Sequence, residues 1–197
     1  MYKDPAAWDR INSFALVSYI PEPLAGFLDR MRQELVPDCF LRAHVTILPP
    51  RPISSPPGAA WDLVRWFAPQ FAPFDVEMTG VEVFPVSDVI YVNIARGAEQ
   101  LNHMHDTLNS DGLRFPDPFP YHPHVTLAQK LQPDQVDELM RVARARWAEC
   151  PFPKTFRVDK AVFVQNTRRN EWIDLGECRL GHDDAKLMRE LTDLLVL

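Results

Sequence analysis

The tripeptide His-Val-Thr occurs twice, 80 positions apart, in Ala43-His44-Val45-Thr46-Ile47-Leu48 and Pro123-His124-Val125-Thr126-Leu127-Ala128. Both runs are short, apolar and rich in strand-forming residues, and each reads as a β-strand. Alternation along a strand puts His44 with Thr46, and His124 with Thr126, on one face. Val45, Ile47, Val125 and Leu127 fall on the opposite face, where helices can cover them. Two imidazoles and two hydroxyls presented in this way can surround a phosphate. A third match, His105-Asp106-Thr107, lies in a stretch from 98 to 112 that reads as a helix. On a helix, residues i and i+2 point about 200° apart, so His105 is set aside as a solvated or partly packed helix residue.

The order of elements around the two strands also repeats. Strand 13–20 and a helix from Pro23 to Leu35 precede the first His-Val-Thr strand, expected at 42–48; a helix at 59–71 and strands at 74–84 and 89–95 follow it. A helix at 98–112 precedes the second, expected at 123–131, and a helix from Pro133 to Ala148 with strands at 156–165 and 171–179 follows it. His44 and Phe74 are 30 residues apart and His124 and Phe156 are 32 apart; Phe74 to Tyr91 spans 17 and Phe156 to Trp172 spans 16. The pattern predicts an α+β fold: a duplicated, two-lobed arrangement with two antiparallel β-sheets facing each other across a central groove and helices outside. Residues 1–181 then form a single bilobal domain, its repeats at roughly 36–96 and 97–181, and 182–197 an appended C-terminal helix with Leu187, Leu191, Leu194 and Leu195 in a stripe.

Charge and composition narrow the partners. A net charge of −6 argues against duplex DNA as the ligand, and leaves room for a small anion in a locally positive pocket. Three scattered cysteines, Cys39, Cys150 and Cys178, form no C-x-x-C pair and suit a reducing compartment without a disulfide framework. The N-terminus lacks the apolar core of a signal peptide, and no 18-residue apolar span occurs. A cytoplasmic monomer, not a membrane protein, is expected. The 19 prolines cluster between periodic segments and mark stiff loops.

The paired strands, Ala43-His44-Val45-Thr46-Ile47 and Pro123-His124-Val125-Thr126-Leu127, resemble those of the two-histidine (2H) phosphoesterase superfamily, in particular its bacterial 2′-5′ RNA ligase or RNA 2′,3′-cyclic phosphodiesterase branch. The resemblance spans roughly residues 10 to 180. It implies an active site in the cleft between the lobes, no metal or other cofactor, His44 and His124 as an acid–base pair, and Thr46 and Thr126 as phosphate ligands. Members related to the cyclic phosphodiesterases often carry arginine three residues after the second threonine, where this chain has Gln129. Lys130, in phase with His124 and Thr126, Arg42, in phase with His44 and Thr46, and Arg51 are the candidates to supply that cation.

Opening a cyclic phosphate requires one proton taken from water and one given to the departing ribose oxygen. Imidazole serves both ends, because its unperturbed pKa of about 6.5 keeps both forms accessible near neutrality. The implied partner is a small nucleotide or an RNA 3′ end bearing a cyclic phosphate. The same pair could run 2′-5′ ligation in reverse. Tyr91, Phe119 and Tyr121 are the candidates to stack on a base, and Arg168-Arg169 reads as a solvated hairpin tip. Two rival readings are a zinc site built on His103-x-His105 and His122-x-His124, and a non-catalytic RNA-end or nucleotide-binding module on the same fold. Against zinc, His103 and His105 diverge on a helix and no carboxylate or cysteine has standard ligand spacing.

Overall fold

A computed structural model describes residues 9–39 and 41–181; the helix expected at 182–197 lies outside the described residues. In chain order the elements are β1 (Arg10–Tyr19), α1 (Leu24–Leu35), β2 (His44–Arg51), α2 (Pro57–Phe67), β3 (Phe74–Phe84), β4 (Val89–Ile94), α3 (Ala98–Leu108), β5 (His124–Ala128), α4 (Val136–Ala148), β6 (Thr155–Val158), β7 (Lys160–Thr167) and β8 (Trp172–Arg179). The strands form two four-stranded sheets, ordered β2-β1-β7-β8 and β5-β4-β3-β6, and every strand pair is antiparallel. The α+β architecture is the expected one.

The halves 36–96 and 97–181 do not coincide with the lobes. β3 and β4 join β5 in the second sheet, whereas β7 and β8 return to β1 and β2 in the first. Each His-Val-Thr strand is an edge strand paired to the strand that precedes it through a helix, β1 for β2 and β4 for β5. After the next helix the chain crosses to the opposite sheet, directly at β3 in the first half and, in the second, at β7 once the short β6 has paired with β3. The spatial repeat is therefore strand–helix–His-Val-Thr strand–helix–strand, and its boundary falls between β3 and β4.

The strand expected at 156–165 is two strands in different sheets, β6 and β7, separated by Asp159. The core-facing residues change parity there: Phe156 and Val158 face the main core before it, Ala161 and Phe163 after it. A period-two pattern that slips by one residue cannot stay on one sheet face. The helices pack with stripes of Leu24, Leu28, Met31 and Leu35 on α1, Ala60 and Val64 on α2, and Leu101, Met104 and Leu108 on α3. Arg65, on the same helix, is solvent-exposed beside Asp62. One continuous core joins these stripes to both sheets. Among the described residues no helix is long and apolar enough to cross a membrane.

Candidate active site

The two His-Val-Thr strands carry the predicted alternation. Val45, Ile47 and Val125 are fully buried and Leu127 nearly so, while His44, Thr46, His124 and Thr126 are each partly exposed. Directly paired residues share a sheet face. His44 lies opposite Tyr19 and Thr46 opposite Val17; His124 lies opposite Asn93 and Thr126 opposite Tyr91. The groove wall of the first sheet continues through Ala15, Val17, Val162 and Val164, flanked by Tyr19 and Trp172. On the second sheet Phe84 stacks on Tyr91, with ring centroids 4.0 Å apart.

Both histidines are held in the same way. The Nδ1–H of His44 donates to the carbonyl oxygen of Arg42 at 2.6 Å, and that of His124 to the carbonyl oxygen of His122 at 2.6 Å. Each ring is thereby anchored to its own strand two residues back, which fixes the tautomer and leaves Nε2 as the nitrogen not engaged in that bond. The edge of His44 reaches the groove, but protein surrounds most of the ring. Its pKa is pushed down to about 4 by loss of solvation first, then by the Arg32 guanidinium, with smaller contributions from His124 and Arg42. His124 thus lies close enough for its charge to act on His44. The His124 pKa is also lowered, chiefly by desolvation and secondarily by His122. Phe84 and Tyr91 pack edge-on against the His124 ring at 5.0 and 5.3 Å.

A tyrosine, a carboxylate and a cationic or imidazole side chain accompany each histidine. On the first sheet Tyr19 Oη donates to Asp174 Oδ1 at 2.5 Å, and Arg42 Nη1 reaches Asp174 Oδ2 at 3.3 Å while its guanidinium lies 3.6 Å above the Tyr19 ring. On the second, Tyr91 Oη donates to Glu82 Oε2 at 3.1 Å and Asn93 Nδ2 to Glu82 Oε1 at 3.1 Å. His122 Nε2–H donates to Asn93 Oδ1 at 3.1 Å. Burial and the carboxylate beside it raise the Tyr91 hydroxyl to about 12, so it stays a donor. Tyr19, Asp174, Glu82, Asn93 and Phe84 escaped sequence reasoning because only strand pairing brings them beside the histidines. His122 was noticed only as half of a metal pair.

Other expected site residues are placed differently. Arg42 reaches the groove rim, but Arg51 is 2% exposed and belongs to a buried network. Its Nη2 pairs with Asp117 Oδ1 at 3.0 Å, Nη1 donates to Asn109 Oδ1 at 2.6 Å, and Nε donates to the Pro49 carbonyl at 2.9 Å. Arg51 closes β2 in phase with the apolar residues, not with His44 and Thr46. His105, expected to be solvated or partly packed, completes this network: it is 4% exposed, with Nδ1–H donating to the Ile47 carbonyl at 2.9 Å and Nε2 3.2 Å from Asp117 Oδ2. Tyr121 is not free to stack on a base. One ring face lies on His105 at 4.0 Å, and its hydroxyl donates to the Thr46 carbonyl at 2.6 Å.

Tyr91, 4% exposed, supports His124 from below and offers no open face. Phe119 is 56% exposed in the loop before β5 and keeps an open ring. Lys130 does not continue the phase of His124 and Thr126, because β5 stops at Ala128 and the Lys130 backbone is left-handed, with φ of +59°. Among the described residues no group of three His, Cys, Asp or Glu is placed to hold a metal. His103 packs edge-on against Phe71, away from the His122–His124 pair.

This architecture has solved counterparts. LigT from E. coli superposes with a TM-score of 0.62 at 15% identity, covering 88% of this chain and 98% of that one. TT0787 of Thermus thermophilus gives 0.57 at 19% identity over 87% and 99%, and Usb1 of Kluyveromyces marxianus gives 0.56 at 13% over 83% and 97%. A candidate phosphoesterase from Oceanobacillus iheyensis is 30% identical over 78 residues, a stretch that is 39% of this chain and 45% of that protein. The chain thus aligns with less than half the length of that relative. The family model described as the 2′-5′ RNA ligase superfamily matches residues 20–170, a span that includes both His-Val-Thr strands, and the chain belongs to that superfamily.

Proposed function

We propose that this protein is a phosphodiesterase that opens a 2′,3′-cyclic phosphate on a nucleotide or an RNA 3′ end, using His44 and His124 as its acid–base pair without a metal ion. The observation that carries the reading is the matched pair of 2.6 Å Nδ1–H···O=C anchors, which frees the same nitrogen on both rings. Membership of the superfamily supports a phosphoesterase or 2′-5′ RNA ligase-like activity. LigT has been solved with phosphate, 3′-AMP, ATP and NADP+, which supports a nucleotide ligand.

In the step itself one imidazole takes a proton from water as the water oxygen attacks phosphorus. The bond from phosphorus to one ribose oxygen breaks in line with the attack, and the other imidazole protonates that oxygen, leaving a phosphate monoester. Thr46 and Thr126 donate to the non-bridging oxygens as charge accumulates on them, and Arg42 adds positive potential at the rim. With a 5′-hydroxyl of a second RNA in place of water, the same groups would form a 2′-5′ linkage. Related cyclic nucleotide or ADP-ribose phosphates fit the same chemistry.

The test is hydrolysis of nucleoside 2′,3′-cyclic phosphates, with a chelator present throughout. His44→Ala and His124→Ala should each abolish turnover while the circular dichroism spectrum is unchanged. Thr46→Val and Thr126→Val should each lower kcat by about 10²-fold, the usual loss for one donor to a developing oxyanion. Near wild-type rates in both histidine variants would end this assignment.

A further inference from the structure

Arg32, on α1, is buried at 2% exposure and has no part in the step described above. Its Nη1 donates at 3.2 Å to the carbonyl oxygen of Arg42, the same oxygen that receives the His44 Nδ1–H. Its Nε is buried without a hydrogen-bond partner. Arginine keeps its charge in proteins, and a buried one is ordinarily paired with a carboxylate. Among the described residues no carboxylate lies within ion-pairing distance of Arg32. Asp29, one turn earlier, senses its charge, but desolvation raises the pKa of that carboxyl and Oδ1 has no partner.

The two-fold resemblance of the lobes breaks at this point. The corresponding carbonyl behind His124, that of His122, receives no guanidinium among the described residues. The chain of contacts there runs from His122 through Asn93 to the carboxylate of Glu82. The other charged and titratable groups around His44 are Tyr19 on β1, Arg42 before β2, Asp174 on β8 and His124 on β5. Arg42 and Asp174 offset one another at 3.3 Å, and Asp29, held by the Ala43 backbone and within reach of the Arg32 charge, offsets Arg32 only in part, so that positive charge still acts on the ring from behind.

We propose that Arg32 is a positioning residue for His44: through the shared carbonyl of Arg42 it fixes the imidazole as an Nδ1–H tautomer and steers the single proton of the catalytic pair to His124. His44 then accepts the proton of the attacking oxygen at Nε2, and His124 donates its own to the departing one. Two donors on one carbonyl, a guanidinium and an imidazole, also pin the segment between α1 and β2, so Arg32 sets the direction of the ring as well as its charge. The low pKa of His44, to which Arg32 contributes, agrees with this order. The inference rests on the proposed acid–base pair.

The experiment follows the ring nitrogens of His44 and His124 by ¹⁵N NMR against pH in the wild type, Arg32→Gln and Arg32→Lys, with the backbone spectrum reporting the fold. His124 should titrate above His44 in the wild type. Arg32→Gln should raise the His44 midpoint by about one pH unit, the size expected for losing one nearby charge. Arg32→Lys, which keeps the charge, should leave it within a few tenths. The acid limb of kcat/KM should move with that midpoint in Arg32→Gln, whereas a purely structural role would lower the rate without moving the limb. A His44 midpoint unchanged in folded Arg32→Gln, or His44 titrating above His124, overturns the proposal. Absence of turnover on any cyclic nucleotide would count against the enzyme reading alone, because the NMR arm needs no substrate.

Discussion

Replacing Arg51 with methionine separates two roles that sequence alone left merged, phosphate ligand and buried strut. The guanidinium donates to the Pro49 and Leu113 carbonyls and to Asn109 Oδ1, and pairs with Asp117. Methionine fills much of the same space but takes the Arg51 donor from the Pro49 and Leu113 carbonyls, at about 1 kcal/mol each, and one of two donors from Asn109 Oδ1, which keeps the Phe115 N–H at 2.9 Å. Asp117 keeps His105 at 3.2 Å and Asn109 Nδ2 at 3.4 Å, so its charge is weakened in support but not stranded. A total of about 3–5 kcal/mol follows, the range for breaking a buried ion pair. For a chain of this length each kcal/mol lowers Tm by about 2–4 °C, so thermal unfolding should shift down by about 10 °C. At a temperature where the variant is folded, KM for a cyclic nucleotide should stay within about two-fold of wild type, since Arg51 does not face the groove. An unchanged Tm together with a large rise in KM would refute this reasoning and return Arg51 to the phosphate.

Further outcomes follow from other sites. Above pH 6.5 His44 is neutral both folded and unfolded; as pH falls from 6.5 to about 4, only the unfolded chain gains that proton, so folding weakens by on the order of 3 kcal/mol across this window. Urea unfolding at pH 7 and pH 4.5 should show a smaller acid loss in His44→Gln than in the wild type. Gly176→Ala would set a Cβ 2.5 Å from the ring of Trp61, which stacks on Phe163, and should destabilise by about 1–3 kcal/mol as overpacking, read by thermal unfolding. Tyr121→Phe removes the 2.6 Å hydrogen bond to the Thr46 carbonyl and should lose about 1 kcal/mol of stability, with a fall in kcat larger than that loss of folded protein explains.

The parts of the fold that were legible from sequence are those governed by local periodicity. The alternation in β2 and β5 reports which side of one strand is buried, and the repeat of element types follows from equally local patterns. Strand partnership is non-local, and the exchange of β3 and β7 between lobes left only a faint trace, the parity slip at Asp159. The same distinction governed the site. The shared face of His44 with Thr46, and of His124 with Thr126, was readable because one strand carries each pair. Tyr19, Asp174, Glu82 and Asn93 arrive on neighbouring strands, and nothing in their own sequence neighbourhood marks them. Arg51, Tyr91 and Tyr121 were misplaced because residue type alone does not tell an aromatic or cation that lines a groove from one that supports it. Lys130 failed because phase ends where the strand does.

Edge position explains how a groove made from two sheets can hold a fixed separation between its histidines. β2 and β5 each leave one backbone edge unpaired by their own sheet, and an unpaired edge in a folded protein calls for donors from elsewhere. On β2 those donors come from the other lobe's His-Val-Thr unit: Tyr121, three residues ahead of His124, takes the Thr46 carbonyl, and His105 on α3 takes that of Ile47. The two are stacked on each other, and Asp117, held by Arg51 at the end of β2, ties His105 back to the first lobe. The strand that presents His44 is thus clamped at successive carbonyls by the segment that leads into His124. His105 is the part of that clamp which ties β2 both to the segment leading into His124 and to the packing of the core.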